Sequence, residues 1–297
     1  MSSIHYTHCP VCGSAEFEIV LRVKDYTVSG EIFPVAECRS CSLRFTQDVP
    51  DAQSIGPYYK SEDYISHTNT AKGLINRLYH LVRKRTLAGK RKLVTKQTGQ
   101  TKGKLLDVGS GTGAFLAEMK QHGWETTGLE PDPDARKVAM EQHHVELQDM
   151  DALSGLVAGN YDAITLWHVL EHVHELHATV QQFHHLLKDG GKLIIAVPNY
   201  TSPDAGLYKE HWAAYDVPRH LYHFSPRSMQ VLMEKHGLQI RHYKPMWYDP
   251  FYIAMLSSKY KSGKISWPGS VWNGLRSDLV AMKDVKRSSS VIYVISK

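Results

Sequence analysis

From Lys104 onward the apolar positions follow two alternating rhythms. Short apolar runs of strand length give way to stretches whose apolar residues recur three and four apart. Residues 105–108 predict a strand, and 112–122 a helix that Gly123 stops. A second strand over 125–129 and a second helix over 133–143 follow, then a brief third strand over 145–147. Next come a fourth strand over 161–166, a long helix over 170–187 and a fifth strand over 192–197, entered through Asp189-Gly190-Gly191. Ser225 and Pro226 read as N-cap and first residue of a further helix, and Gly237 as its left-handed terminator. Residues 238–243 and 290–295 read as closing strands. Strands alternating with helices predict an α/β fold, a doubly wound, mostly parallel sheet covered on both faces.

Upstream the rhythm is different. Strand-like stretches lie at 16–24 and 43–46, and an aromatic connector over 49–66 carries Tyr58, Tyr59 and Tyr64. Leu74, Leu78, Leu81 and Val82 recur at helical spacing, so 71–96 reads as an amphipathic helix ended by Gly99 and the polar run beyond it. The expected organisation is three units: 1–48, a connector with a basic helix over 49–103, and the α/β domain over 104–297.

Composition changes little: 297 residues, 42% hydrophobic and 22% charged, argue for a globular chain and against disorder or a fibrous protein. The apolar run at 250–258 is too short to span a bilayer. The N-terminus lacks the basic start and apolar core of a secretory signal, so a cytoplasmic location is expected. Charge distribution changes more. The net charge is +5, yet residues 64–106 hold eleven Lys/Arg and no acid, and the remaining 24 basic residues face 30 acidic ones. Such segregation points to a local anionic partner, a membrane surface included, or to a solvated helix face.

All four cysteines, Cys9, Cys12, Cys38 and Cys41, lie in the first 41 residues as two CxxC pairs. Doubled knuckles at this separation read as a zinc ribbon, whose four thiolates close the shell of a structural ion. Two disulfides are the competing arrangement, disfavoured in a reducing compartment.

The densest chemistry is Asp107-Val108-Gly109-Ser110-Gly111-Thr112-Gly113, where a strand meets a helix through glycines at the carboxyl edge of the sheet. Glu130 ends the next strand 23 residues after Asp107, at the distance of a ribose-binding acid. Together with Gly128-Leu129-Glu130-Pro131-Asp132, this resembles the first two motifs of class I S-adenosylmethionine-dependent methyltransferases, which have a Rossmann-like sheet. The G-x-G-x-G spacing departs from the G-x-G-x-x-G of dinucleotide enzymes. Residues 161–173 and 186–193 resemble the same family's fourth strand and the turn before its fifth, so the likeness spans about 104–243.

The resemblance implies that Gly109, Gly111 and Gly113 line the cofactor, with Asp107 near its amino-acid moiety and Glu130 on its ribose. Asp149 and Met150 would flank the adenine, Asp151 being the competing acid, and His168 would join the cofactor set. His168-x-x-Glu171-His172 also has the form of an inverted zinc-protease signature, which requires both histidines on one helical face. The ribbon narrows the likeness to small-molecule enzymes, among them those that methylate carbon atoms of nucleotide-linked sugars. Those enzymes carry a Glu-His, three residues, then Phe-Ser; here Arg219-His220 precedes Phe224-Ser225. That makes His220 the expected base, Arg219 a substrate clamp in place of the glutamate, and His223 the competing base. The expected acceptor is small or carrier-linked and anionic. A second reading is an RNA-binding protein or RNA methylase, gripping phosphates with ribbon and basic helix. Against it, 164–170 lacks the Asn/Asp-Pro-Pro-Tyr of base-amino methylases.

Overall fold

The computed structural model describes residues 2–60 and 74–297, with side chains throughout except at 74–81; Tyr64 and the first three residues of the expected basic helix lie outside the described residues. The N-terminal unit comprises β1 (Ser3–Ile4), β2 (Phe17–Lys24), β3 (Ile32–Cys38), β4 (Arg44–Thr46) and β5 (Val49–Pro50). Helix α1 (Leu74–Thr98) leads into β6 (Lys104–Val108), α2 (Ala114–Gln121), β7 (Glu125–Leu129), α3 (Pro133–His143) and β8 (Tyr161–Trp167). Then come α4 (Leu176–Leu186), β9 (Leu187–Pro198), α5 (Pro203–Tyr208), β10 (Tyr222–His223), α6 (Pro226–Lys235) and β11 (Gln239–Pro245). Two further helices, α7 (Asp249–Ser262) and α8 (Trp267–Lys283), precede the last strand, β12 (Ser290–Ser296).

Six strands form the main sheet in the order β11-β12-β9-β8-β6-β7. β7, β6, β8 and β9 are parallel neighbours, and β12 runs antiparallel between β9 and β11. The central strands are buried on both faces, which is why they read as unbroken apolar runs. The caps foreseen for α6 form: Ser225 accepts from the Ser228 N–H, and Gly237 follows the helix at φ +70°.

Three elements differ from expectation. The third strand reduces to a single parallel bridge, Leu129 to Gln148. The long helix after β8 begins at Leu176, because His168 is in the left-handed region at φ +60° and Leu170–His172 is a 3-10 turn. That turn also removes the shared helical face on which the protease reading depends. The hairpin of α7 and α8 has no counterpart in the sequence reading.

The ribbon is joined to the α/β unit by a shared sheet. β2, β3 and β4 form an antiparallel meander, and β10, from the loop after β9, adds a fourth strand. Tyr222 pairs with Phe45 and His223 with Arg44. Cys38, Leu43 and Phe45 share one buried apolar cluster with Leu166, Val197, Leu221 and Phe224. The segment that reads as a small metal-held module thus has its apolar face inside the main core.

Candidate active site

The glycine loop after β6 takes a shape that side chains resist. Gly109, Gly111 and Gly113 all have positive φ. A Cβ on Gly109 would sit 2.4 Å from Val169 Cγ2, so that position excludes alanine on space as well as on conformation. The loop is fastened from the neighbouring strand: the Gly111 N–H donates to Glu130 Oε2 at 2.7 Å and the Asp132 N–H to Oε1 at 3.1 Å. Glu130, 8% exposed at the end of β7, is thereby aimed along the sheet edge, and burial raises its pKa. Asp107 ends β6 fully enclosed. Burial pushes its pKa up to about 6, against the Thr165 hydroxyl that donates to it at 2.6 Å. Asp149 stands half-exposed beyond the β7 edge and accepts from Arg136 at 2.8 Å, while Met150 begins a 3-10 turn and packs on the core.

His168 closes this side of the edge. Its Nε2 lies 2.8 Å from Asp249 Oδ2 and its Nδ1 3.4 Å from Glu171 Oε1. Burial alone would favour the neutral ring, but Asp249 and then Glu171 push its pKa up to about 10. His168 is therefore an imidazolium at neutral pH. Lys90, which sequence reasoning left among the basic residues of the helix, reaches the same region, its Nζ 4.3 Å from the Trp167 ring centroid. Burial lowers its pKa to about 8, opposed by Asp107 and Asp249. The neighbouring Arg91 pairs with Glu118 of α2 at 2.8 Å, so part of the charge-segregated helix is turned onto the domain.

The loop between α5 and α6 brings a second group of ionisable side chains together. His220 Nδ1 donates to the Ala214 carbonyl at 2.9 Å, and its Nε2 lies 4.0 Å from Asp216 Oδ2. His220 stacks edge-on against His172 at 4.5 Å between centroids. Glu171, His172 and His220 each bring a ligand-type atom within 4.8 Å of the others. Glu171 is 1% exposed, and His168 is its one ion-pair partner among the described residues. Burial, reinforced by the positive character of His220, lowers the His172 pKa to about 4.

Arg219 does something else. Four of its N–H groups are engaged, by Asp216 twice (2.6 and 3.0 Å), Asp25 (3.0 Å) and the Tyr58 carbonyl (2.9 Å), and its side chain is 1% exposed. The clamp expected from the sequence is corrected here: Arg219 ties the loop to the ribbon and to the connector. His223 lies in β10 with Nε2 3.1 Å from the Thr46 hydroxyl, fully enclosed, and burial holds its pKa well below the usual range. It is walled off from solvent on the far side of Tyr215, whose ring meets it edge-on at 4.9 Å.

In the ribbon, Cys9 Sγ lies 3.5 Å from Cys41 Sγ, and Cys12 Sγ lies 3.5 Å from Cys38 Sγ, too far for disulfides. All four sulfurs are within 4.8 Å of one another. The two knuckles repeat one geometry: the Gly13 N–H donates to the Cys9 carbonyl and the Ser42 N–H to the Cys38 carbonyl, both at 2.9 Å, and both residues have positive φ.

These features coincide with what comparison with known proteins finds. A family model described as a methyltransferase domain matches residues 79–243. A ubiquinone biosynthesis O-methyltransferase of Nitrosococcus oceani is 30% identical over 202 residues, covering 63% of this chain and 78% of that one. Its counterpart in Xanthomonas axonopodis pv. citri is 29% identical over 162 residues, covering 50% and 67%. Among solved structures, magnesium protoporphyrin IX methyltransferase of Synechocystis superposes with a TM-score of 0.52 at 13% identity, over 81% of this chain and 97% of that one. Geranyl diphosphate C-methyltransferase of Streptomyces coelicolor does so with a TM-score of 0.51 at 13% identity, over 78% and 87%. At these identities the structures speak for the fold, and the family match speaks for the chemistry. The chain belongs to the methyltransferase-domain family and is a class I S-adenosylmethionine-dependent methyltransferase.

Proposed function

We propose that the chain methylates a small or carrier-linked acceptor that bears phosphate, of the nucleotide-linked sugar type. The observation that carries this reading is an open cavity of about 570 Å³ directly after β9. Arg44, Lys209, Arg276 and Arg287 line it beside Tyr200 and Tyr215, and no carboxylate does. Arg44 is fixed by Glu37 (2.8 Å), the Tyr215 hydroxyl (2.6 Å) and the face of Tyr200 (4.2 Å). Among the described residues Lys209, Arg276 and Arg287 have no acidic partner within salt-bridge distance. Three unneutralised cations beside two aromatic rings suit a diphosphate with an attached base or sugar. In open α/β sheets, ligands bind at this carboxyl edge.

Glu130 would hold the cofactor ribose, Asp107 and His168 would face its amino-acid end, and Asp149 and Met150 would border the adenine. The sulfonium supplies an electrophilic methyl group and leaves as a neutral thioether. The residues of this chain must then align the acceptor and remove its proton. His220 is suited to the second task, since Nδ1 is engaged by the Ala214 carbonyl and Nε2 is the nitrogen that would take the proton. Asp216, 4.0 Å from Nε2, and Glu171, which also pairs with His168, would supply the negative charge that steadies the imidazolium. The four cysteines fit one structural zinc: a tetrahedral thiolate shell sets sulfurs about 3.8 Å apart. With that ion bound, residues 1–48 are a brace for the loop that carries His220.

The test is methyl transfer from labelled S-adenosylmethionine to a panel of nucleoside-diphosphate sugars and their uncharged glycoside analogues. Arg276→Gln with Arg287→Gln is expected to raise the acceptor KM about tenfold or more, since each lost charge-assisted bond contributes about 1.5–3 kcal/mol. Methylation of the uncharged analogues with equal efficiency, indifferent to the double variant, would overturn the acceptor assignment.

A further inference from the structure

Helix α8 is built inside out. The positions it buries are small: Ser270, Gly274, Ser277 and Ala281. Its large apolar side chains, Trp267, Val271, Trp272, Leu275, Leu279 and Met282, point outward and are 47–69% exposed. They recur three, four and five residues apart and so form one stripe. The inversion has a steric cause. A Cβ on Gly274 would lie 2.5 Å from Phe251 Cδ1 of α7, so only a small-residue face allows the two helices to approach this closely. Docking by that face turns the large side chains to the outside. Trp247 and Tyr248, just before α7, are also 43% and 45% exposed. Soluble proteins seldom leave a contiguous apolar surface of this kind uncovered.

The polar fringe says what covers it. Residues 247–289 carry seven basic side chains, Lys259, Lys261, Lys264, Arg276, Lys283, Lys286 and Arg287, against three acids. One of those acids, Asp249, is turned inward onto His168. Tryptophans and leucines on one face with lysines and arginines at the margin suit the headgroup region of an anionic bilayer. A second copy of the chain on the same face would bring two basic fringes together. We propose that α8 lies in the surface of an anionic membrane with its Trp/Leu face down. The proposal rests on the α7–α8 hairpin and its flanks and stands whether or not the acceptor carries phosphate, since Lys259, Lys261, Lys264, Lys283 and Lys286 do not line the acceptor cavity.

The test is co-sedimentation of the full chain with vesicles of phosphatidylglycerol and phosphatidylcholine, beside vesicles of phosphatidylcholine alone. Binding is expected to the anionic vesicles, to weaken as salt is raised, and to fall about 100-fold in the triple variant Trp272→Gln, Leu275→Gln, Leu279→Gln. Calorimetric S-adenosylmethionine binding by that variant, expected to be unchanged, reports its folding independently. Quenching of wild-type tryptophan fluorescence by bromine-labelled lipid chains needs no variant at all. Absence of vesicle binding or of quenching overturns the proposal. So does a wild-type dimer that the triple variant converts to monomer in sedimentation, which would assign the stripe to a second copy.

Discussion

Asp107 and Glu130 are buried carboxylates on adjacent strand ends, and their partners set them different tasks. Glu130 accepts two backbone N–H bonds, which fix the carboxylate without neutralising it. Asp107 is more deeply enclosed, and burial pushes its pKa up to about 6 against the Thr165 hydroxyl, so its charge changes close to neutrality. His168 is held charged by Asp249 and Glu171, with a folded pKa about 10 against the ordinary 6.5. A raised histidine pKa contributes stability that is full below about 6.5 and is lost as pH rises through about 10. The melting-temperature gap between wild type and His168→Gln is therefore expected to narrow from pH 7 to pH 10; a constant gap would remove the charged pairing from the account. For the proposed base, His220→Ala should lower kcat about 10²–10⁴-fold while S-adenosylmethionine affinity holds. Glu171→Gln should lower kcat as well, and a variant with lost cofactor affinity but unchanged turnover at saturation would make His220 a lid residue instead. The glycines, Glu130 and His220 stand out in the sequence because each sits in a short motif. Arg219 was not, since Asp25, one of the acids that claims its guanidinium, lies 194 positions away in the chain. The meeting of Glu171 with His220 was hidden for the same reason: it exists only after two strand ends come together.

At the scale of elements, the parallel strands and the capped helix α6 announced themselves through period and cap chemistry. The hairpin of α7 and α8 did not, because its inward positions are serine, glycine and alanine, and a pattern reader looks for large residues facing in. The β10 strand is two residues long and owes its existence to a partner far upstream, Arg44–Thr46. This pairing links the proposed zinc site to the loop that carries His220. Cys38→Ser is expected to abolish zinc binding by metal analysis and also to loosen, in hydrogen exchange, the protection of the β4–β10 amides, among them Thr46, whose N–H donates to the Leu221 carbonyl. Loss of zinc with those amides unaffected would show the ribbon to be independent of the catalytic loop.

Among the described residues, the four-stranded and six-stranded sheets share one of the three apolar clusters, and Cys9, Cys38 and Cys41 are buried members of it beside residues of the parallel strands. Such sharing makes unfolding cooperative. Treatment with a chelator is expected to shift a single thermal transition downward, whereas two separate transitions would mean a detached N-terminal module. The family match gives the methyl donor, and the proposed holder of its ribose is Glu130, whose carboxylate accepts from two backbone N–H groups at the sheet edge. Titration calorimetry of S-adenosylmethionine into wild type and Glu130→Ala tests that assignment most directly and needs no acceptor. Removing a charged acceptor of ribose hydroxyl bonds should weaken binding about 10- to 150-fold. Equal affinity in the two proteins would contradict the cofactor site described here.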